Sequence, residues 1–449
     1  MNAVAAMAAT FAALLLIRVP VAFAIGVAAF LGFALLPDPF GTREPWALLT
    51  GMTGTLKQHA LVAIPFFILA GRLMGAGGVA RRLIALARGL MGGLRGGTSF
   101  VNVLSSLFFG GVSGSAVADV SSLGSILLPA MEEEGYEPGF STALTVTSAT
   151  LGLILPPSNV MILYAVIAGG VAPAAGAPAD ELRVGVDTMF LAGIGPGLLV
   201  AAALLALCAV AARTRRHPAG RWPGLRALVR GAAAALPSLA IVLVILGGIV
   251  FGWTLAHEAA ALAVVLALLA GLALYRELTL AEVGRALADT VVTTGVVFFL
   301  IAASSAMAAV LLHADVDRIL AGALTGLTRD PLVFLLLLNA TALVAGLFLD
   351  MTPALLILTP LLLPVAVDYG IHPVHFGIVL LVNLCIGLCT PPVGSCLFVG
   401  CALSGVPMAR MGRALLPFYA TLLVALAGVT LVPGLSLWLP QRFALWFPG

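Results

Sequence analysis

Charge is scarce in this 449-residue chain. Lys, Arg, Asp and Glu make up 9% of it, against 61% hydrophobic residues. A soluble globular domain carries about 25% charged residues, so a water-filled surroundings is excluded for most of the surface. Lysine is almost missing: Lys57 stands alone among the basic residues, and the rest are arginine. That points to a GC-rich genome and says nothing of function. Cysteine is sparse too, and Cys208, Cys385, Cys389, Cys396 and Cys401 have no His or acid among them at ligand spacing. Neither a metal cluster nor a disulfide framework is suggested, and small apolar packing is the plain reading. A net charge of only +3 implies no nucleic-acid partner. The first apolar run has no basic stretch ahead of it, so it reads as a first helix and not as a cleaved signal peptide. Alternating segments of about ten residues are absent, which excludes a β-barrel.

What is present is apolar runs near the length of a bilayer crossing. They lie near 3–17, 20–36, 62–76, 98–112, 142–168, 189–212, 233–253, 257–275, 290–312, 331–349, 375–390 and 414–433. The chain is therefore an all-α polytopic membrane protein embedded in a lipid bilayer, because helices are the spanning form left once a barrel is excluded. Two shorter pieces, near 115–131 and 353–367, hold Pro, Gly, Ser or Thr and read as re-entrant hairpins. The stretch Arg213 to Gly231 holds six arginines and no acid, so it faces the cytoplasm. It divides the chain into a first half (1–212), a connector (213–231) and a second half (232–449). Arg81 to Gly97 and Tyr275 to Asp289 mix arginine with apolar residues at helical spacing and read as helices on the membrane surface.

The halves repeat. At an offset of 235 residues, Gly111 falls on Gly346, Pro129 on Pro364, Gly135 on Gly370 and Pro138 on Pro373. Gly152, Leu153, Pro156 and Pro157 fall on Gly387, Leu388, Pro391 and Pro392 without a gap. Gly and Pro dictate backbone shape, so these matches carry structural weight. Five crossings and one hairpin lie between the two Pro-Pro pairs in this reading. An odd number turns the second repeat upside down, the arrangement typical of secondary transporters.

The chemistry follows from the breaks. A helix interrupted at mid-membrane leaves carbonyls at one half, which ligate cations, and N–H groups at the other, which favour anions. The candidate ion residues are Gly152, Pro156, Pro157, Ser158 and Asn159 in the first break. Asn383, Gly387, Thr390, Pro391 and Pro392 are their counterparts in the second. The hairpin tips supply the candidate substrate residues: Ser113, Gly114, Ser115 and Asp119 in one, Asp350 and Thr352 in the other, with Gly394 beside the second break. Asp350 also reads as a helix N-cap with Pro353 in the first turn. Asp119 is an acid within membrane sequence, which is expensive and usually functional. A different class of function is carried by Gly111-Val-Ser113-Gly114, a GxSG string as in intramembrane serine proteases, with His313 as a nominal base. It leaves the repeat and the breaks unexplained. A channel, or a stand-alone Na+/anion symporter, would account for the repeat as well.

The segments LVAIPFFILAGRLMGAGG, FFGGVSGSAVADVSSLGSILLP, LGLILPPS and DMTPALLILTPLLLP, with LCIGLCTPPVG, stand in an order that resembles the large permease subunit of tripartite ATP-independent periplasmic (TRAP) transporters, from about residue 4 to 435. The resemblance implies an inverted-repeat ion-transporter-superfamily fold, with two re-entrant hairpins, a scaffold and an elevator-type transport domain. It implies Na+-coupled import of a carboxylate or related organic acid at the bacterial inner membrane, with Na+ as coupling ion, no enzyme activity and no organic cofactor. It also implies two partners, a small membrane subunit and a periplasmic substrate-binding protein. The apolar runs ahead of the matching region belong to the permease itself, so the small subunit is expected as a separate chain. Leu153, where relatives often carry Pro, and Ser395-Cys396 depart from the family pattern near the cavity and bear on substrate identity.

Overall fold

The computed structural model describes residues 2–36, 46–171, 184–215, 217–218, 220 and 222–446. Among them the regular elements are all helices. Lipid offers no partner for a free N–H or C=O, and a helix satisfies both within one segment.

Two apolar helices open the chain, α1 (Asn2–Leu16) and α2 (Val21–Leu35). Next come α3 (Trp46–Leu56), a 3-10 turn (His59–Val62) running into α4 (Ala63–Ala76), and α5 (Val79–Met91). A hairpin follows, α6 (Gly97–Ser113) and α7 (Ala116–Glu133). Then α8 (Pro138–Ala149), the short α9 (Leu151–Ile154) and α10 (Asn159–Val171) trace one path, bent by 44° at its break. The first half ends with α11 (Val186–Thr214). The second runs through α12 (Leu225–Val250), α13 (Ala256–Leu268) with a π-helical extension (Leu269–Leu274), α14 (Leu280–His313) and α15 (Val316–Leu327). A second hairpin, α16 (Pro331–Phe348) and α17 (Met351–Asp368), precedes the broken pair α18 (Pro373–Gly387) and α19 (Ser395–Ser404). The chain closes with α20 (Met408–Leu431) and α21 (Gly434–Trp446). Among the described residues eight helices are long and apolar enough to cross a membrane, or nine if the bent pair counts as one span.

The 235-residue offset carries helix boundaries as well as residues. Displaced by it, α7 covers α17 end for end, and α8 and α18 both start on proline. Gly135 and Gly370, in the turns between, both take a left-handed backbone, at φ +82° and +72°. Both Pro-Pro bonds are cis. Even amphipathic α5 falls on amphipathic α15.

Some expectations change in the fold. The apolar runs 98–112 and 115–131 are the two arms of a single hairpin, turned at Ser113–Ser115, and 331–349 pairs likewise with 353–367. Short α3, α19 and α21 lie outside the apolar runs. The Tyr275–Asp289 stretch does not form a separate surface helix, because α14 starts at Leu280 and runs unbroken for 34 residues. Its first turn has a capping box, Thr279 with Glu282, which fixes that start. Helices α11 and α12 both reach into the basic connector, whose Arg216 and Arg221 lie outside the described residues.

Helix α5 does lie as an amphipathic arm, with Val79, Leu83 and Ile84 buried. Its arginines grip the loop ahead of α14. Arg81 and Arg82 donate to Glu277 at 2.5 and 2.9 Å, and the Arg82 guanidinium stands 3.6 Å over the Tyr275 ring. The hydrogen bond from Arg82 holds the Glu277 carboxyl below its usual range.

Helices α1–α4, α13 and α14 pack around one another, as do the hairpins, the broken helices, α11, α20 and α21, and the two sets meet where α14 packs on α17 and α4 on α6. Within the second set each hairpin meets its broken helix through glycine. A Cβ on Gly110 would stand 2.6 Å from the Cα of Gly152, and one on Gly387 would stand 2.8 Å from the Cα of Gly346. Small residues let backbones approach where lipid supplies no hydrophobic drive for helix association. Gly387→Ala is expected to force α16 and α18 apart and cost about 1–3 kcal/mol. Gly412→Ala, in open space within α20, should be neutral or stabilising by up to about 1 kcal/mol. Thermal unfolding of the purified variants checks both, and equal losses would contradict the packing account.

Candidate transport site

The tip of the first hairpin is built by two residues. Gly114 ends α6 in a left-handed conformation at φ +59°, and the Ser115 hydroxyl caps α7 by accepting from the Ala118 N–H at 3.5 Å. The second tip differs. Asp350 occupies the N-cap position of α17 but makes no side-chain capping bond. Its Oδ1 accepts instead from the Ser395 hydroxyl at 3.2 Å. The capping role expected for Asp350 is thus not taken up, and its carboxylate faces a cavity.

That cavity, of about 440 Å³, is lined by both tips: Ser113, Gly114 and Ser115 from one, Asp350 and Thr352 from the other. Asn159 lines it from the first break, and Ile68, Arg72 and Thr293 line it from α4 and α14. Its size suits a small organic ligand.

The remaining expected residues fall elsewhere. Asp119 does not line the cavity. It is fully buried behind the tip, where the Ser113 hydroxyl donates to Oδ1, and Oδ2 has no hydrogen-bond partner. That unpartnered oxygen touches the position a Cβ on Gly152 would fill, so the first-break glycine makes room for a carboxylate. The carbonyl oxygens of Pro156 and Pro157 crowd the same tip, at 3.2 Å from a Cβ on Gly111 and 3.3 Å from one on Gly114. The Asn159 amide donates to the Gly114 carbonyl at 3.5 Å, and its own Oδ1 is buried without a partner.

Ser158 is buried and caps the break, donating to the Leu153 carbonyl at 2.7 Å. In the second break Thr390 donates to the Ile386 carbonyl at 2.7 Å. Gly394 is hemmed in by the carbonyl oxygens of Leu388 and Thr390, each 2.8 Å from its Cβ position, and does not itself line the cavity. Pro391 is half-buried and Pro392 exposed. Gly387 serves the helix approach described above. Asn383 sits about two turns before the second Pro-Pro pair. Its amide donates to the Asn339 backbone carbonyl at 2.9 Å and to Asn339 Oδ1 at 2.8 Å, and Asn339 in turn donates to Thr430 at 2.9 Å. That makes Asn383 a cross-link between α18, α16 and α20.

Two residues were not singled out from the sequence. Asn102 ties α6 to α8, donating to Thr145 at 2.7 Å and accepting from Ser148 at 3.1 Å. It is the first-half analogue of the Asn339–Asn383 link. Arg72 is the one cationic side chain lining the cavity among the described residues. Its signal was legible: a single arginine inside the apolar run 62–76.

An all-helical membrane protein with two matched hairpins around one cavity defines a transport permease as a class. The family model for the tripartite ATP-independent periplasmic transporter, DctM component, matches residues 8–435. The chain belongs to that family. It is 41% identical to the protein YgiK of Salmonella typhimurium, over 97% of this chain and 96% of that one. It is 39% identical to the C4-dicarboxylate TRAP transporter large permease protein DctM of Pseudomonas aeruginosa, over 86% and 87%. The sialic acid TRAP transporter large permease protein SiaM of Vibrio cholerae is 33% identical, over 96% of both chains. Among solved structures, the YdaH transporter of Alcanivorax borkumensis shares the fold at TM-score 0.65 and 16% identity, over 96% of this chain and 98% of that one. The chain is therefore a multi-pass protein of the bacterial inner membrane and a permease, not an enzyme. The GxSG protease alternative falls with this, and the Ser113 hydroxyl is engaged by Asp119.

The Asn383 link yields a test. Asn383→Ala leaves Asn339 without its buried partner and should destabilise the protein by about 1–3 kcal/mol. A drop in Tm is expected. An unchanged Tm would remove the cross-link reading.

Proposed function

We propose that this chain is the large permease subunit of a Na+-coupled importer of an organic acid, working with a small membrane subunit and a periplasmic binding protein. Family membership supports the class. The cavity shared by the two hairpin tips is the observation that carries the rest. The relatives named for C4-dicarboxylates and sialic acid support a carboxylate or related acid as substrate.

The first cation belongs with Asp119. Its unpartnered Oδ2 and the Ser113 hydroxyl lie behind the tip, and the carbonyls of Pro156 and Pro157 stand close to Gly111 and Gly114 of the same tip. A buried carboxylate without a partner is costly, and a bound cation relieves that cost. Asp119 thus moves from the substrate set to the ion set. The second cation belongs beside Gly394, where the Leu388 and Thr390 carbonyls converge. The tip hydroxyls of Ser115 and Thr352 and the amide of Asn159 face the substrate in the cavity.

The transport domain comprises the hairpins and broken helices, and the scaffold comprises α1–α4, α13 and α14. The two halves are inverted in the membrane. The base of the first hairpin is fastened to the basic connector: Gly96 N–H bonds the Pro218 carbonyl at 2.9 Å, and the His217 ring packs 4.4 Å from Tyr136. Positive residues mark the connector as cytoplasmic, which places that base inside. A second hairpin entering from the periplasm would bring its tip to the same depth. Cations bound at both breaks favour the substrate-loaded domain, and coupling requires that difference in affinity between states.

The test is uptake of radiolabelled succinate, pyruvate and sialic acid by proteoliposomes holding the complete complex, with the binding protein outside. Uptake of at least one is expected in Na+ and should be lost in K+ or without the binding protein. Equal uptake in K+ would overturn Na+ coupling.

A further inference from the structure

We propose that Arg72 is the residue that recognises the substrate's carboxylate, and that Asp289 is its stand-in partner while the cavity is empty of substrate; the assignment rests on the transport reading above. Four observations meet at this side chain. Arg72 lines the cavity shared by the hairpin tips, as its one cation among the described residues. An anionic substrate entering there meets Asp350 as well, and needs a positive group to offset that carboxylate.

Second, Arg72 is held at the wall with part of its fork in use. Nη1 donates to Asp289 Oδ2 at 3.1 Å and Nη2 to the Thr293 hydroxyl at 2.9 Å. A guanidinium carries five N–H donors in a fork that matches a carboxylate, so donors remain for a ligand.

Third, the resting partner is replaceable. The Arg72 and Asp289 side chains are 36% and 63% exposed. An ion pair of that kind contributes little, so a substrate carboxylate can take the place of Asp289 at small cost. A buried pair would resist such exchange. Thr293 lies one helical turn beyond Asp289 on α14, and its hydroxyl keeps the guanidinium aimed during the exchange.

Fourth, the hairpin tip docks beside Arg72. A Cβ on the neighbouring Gly71 would stand 2.8 Å from the Ser113 carbonyl oxygen. One turn on, the position of a Cβ on Gly75 lies 3.5 Å from the Ser122 hydroxyl of α7. The face of α4 that carries no side chain is therefore the face against which the first hairpin rests. Arg72 belongs to the scaffold, while the tip hydroxyls belong to the transport domain. A carboxylate held between them loses its cation once the domain moves along α4. Recognition is thus made in one position of the domain and released in another.

The test compares wild type, Arg72→Gln, Arg72→Lys, Asp289→Asn and Arg72→Cys in the complete complex, using the same radiolabelled carboxylates. Arg72→Gln is expected to raise KM about tenfold or more, with Na+ dependence unchanged, and Arg72→Lys to raise it less. Asp289→Asn removes the carboxylate that competes for Arg72 and is expected to lower KM below wild type. Arg72→Cys should show a KM raised at least as far as Arg72→Gln, recover toward the wild-type KM after a cationic aminoethyl methanethiosulfonate, and not recover after the neutral methyl reagent. The same assembled molecules are read before and after reagent, so a folding defect cannot mimic the result. The native cysteines are buried or half-buried, and treated wild type serves as control. Uptake by Arg72→Gln at wild-type KM, rescue by the neutral reagent, or equal loss in Asp289→Asn would overturn the assignment while leaving the transport reading intact. Absence of Na+-dependent uptake of every probe by wild type would overturn both.

Discussion

A break in a membrane helix frees backbone groups where no water can satisfy them, and the rest of this structure is organised around that constraint. Each break is lined by side-chain hydroxyls that donate to its carbonyls. Ser158 takes the Leu153 carbonyl, Thr390 the Ile386 carbonyl, and the Tyr419 hydroxyl the Cys389 carbonyl at 2.8 Å. Other carbonyl oxygens of the breaks stand close to Gly111, Gly114 and Gly394, and that of Thr390 also accepts from the Gly394 N–H at 3.0 Å. The breaks are therefore not loosely exposed backbone. They are capped structures with defined groups of oxygens, which is what a weakly bound coupling ion requires of its site.

Rigidity elsewhere makes those openings possible. Glycine contacts, Gly110 with Gly152 and Gly346 with Gly387, bring hairpin and broken helix to backbone distance. Buried amide links add direction to that packing, with Asn102 in one repeat and Asn339–Asn383 in the other. The halves also meet each other. The Cys385 thiol approaches the Thr150 carbonyl at 3.9 Å. Those two residues are mates in the 235-residue repeat, so the contact lies close to the axis relating the halves. The cluster of late cysteines thus has a packing role, as small polarizable residues at a helix crossing.

Much of this was legible in the sequence because Gly and Pro report backbone shape directly. The offset from Pro156 to Pro391 carries α7 onto α17 end for end and the prolines that start α8 and α18 onto each other, and both hairpin tips lie where polar residues interrupt apolar sequence. Side-chain roles were less legible. Asp350 has the sequence of an N-cap, yet its carboxylate turns to Ser395. Asp119 stands six residues from Ser113 and was grouped with it at the substrate, yet it lies behind the tip. Asn383 reads as a break residue by proximity; its amide pairs with Asn339, while its Oδ1 is buried without a partner. Arg72 is visible in the sequence only as a single charge in an apolar run, and its meaning depends on α14 placing Asp289 and Thr293 opposite it. Local sequence encodes where the chain turns; which polar groups meet across helices is set by tertiary packing.

The central claim is that Na+ binds at the buried carboxylate beside the first break. A ligand that binds the folded state raises stability in proportion to RT ln(1 + [L]/Kd). The direct measurement is the Tm of the purified complex as Na+ replaces choline at constant ionic strength, for wild type and Asp119→Asn. The account predicts a Tm that climbs with the logarithm of Na+ concentration in wild type, fails to climb with K+, and rises less with Na+ in the variant. A wild-type Tm indifferent to Na+, or an Asp119→Asn variant with the full Na+ response, would contradict it.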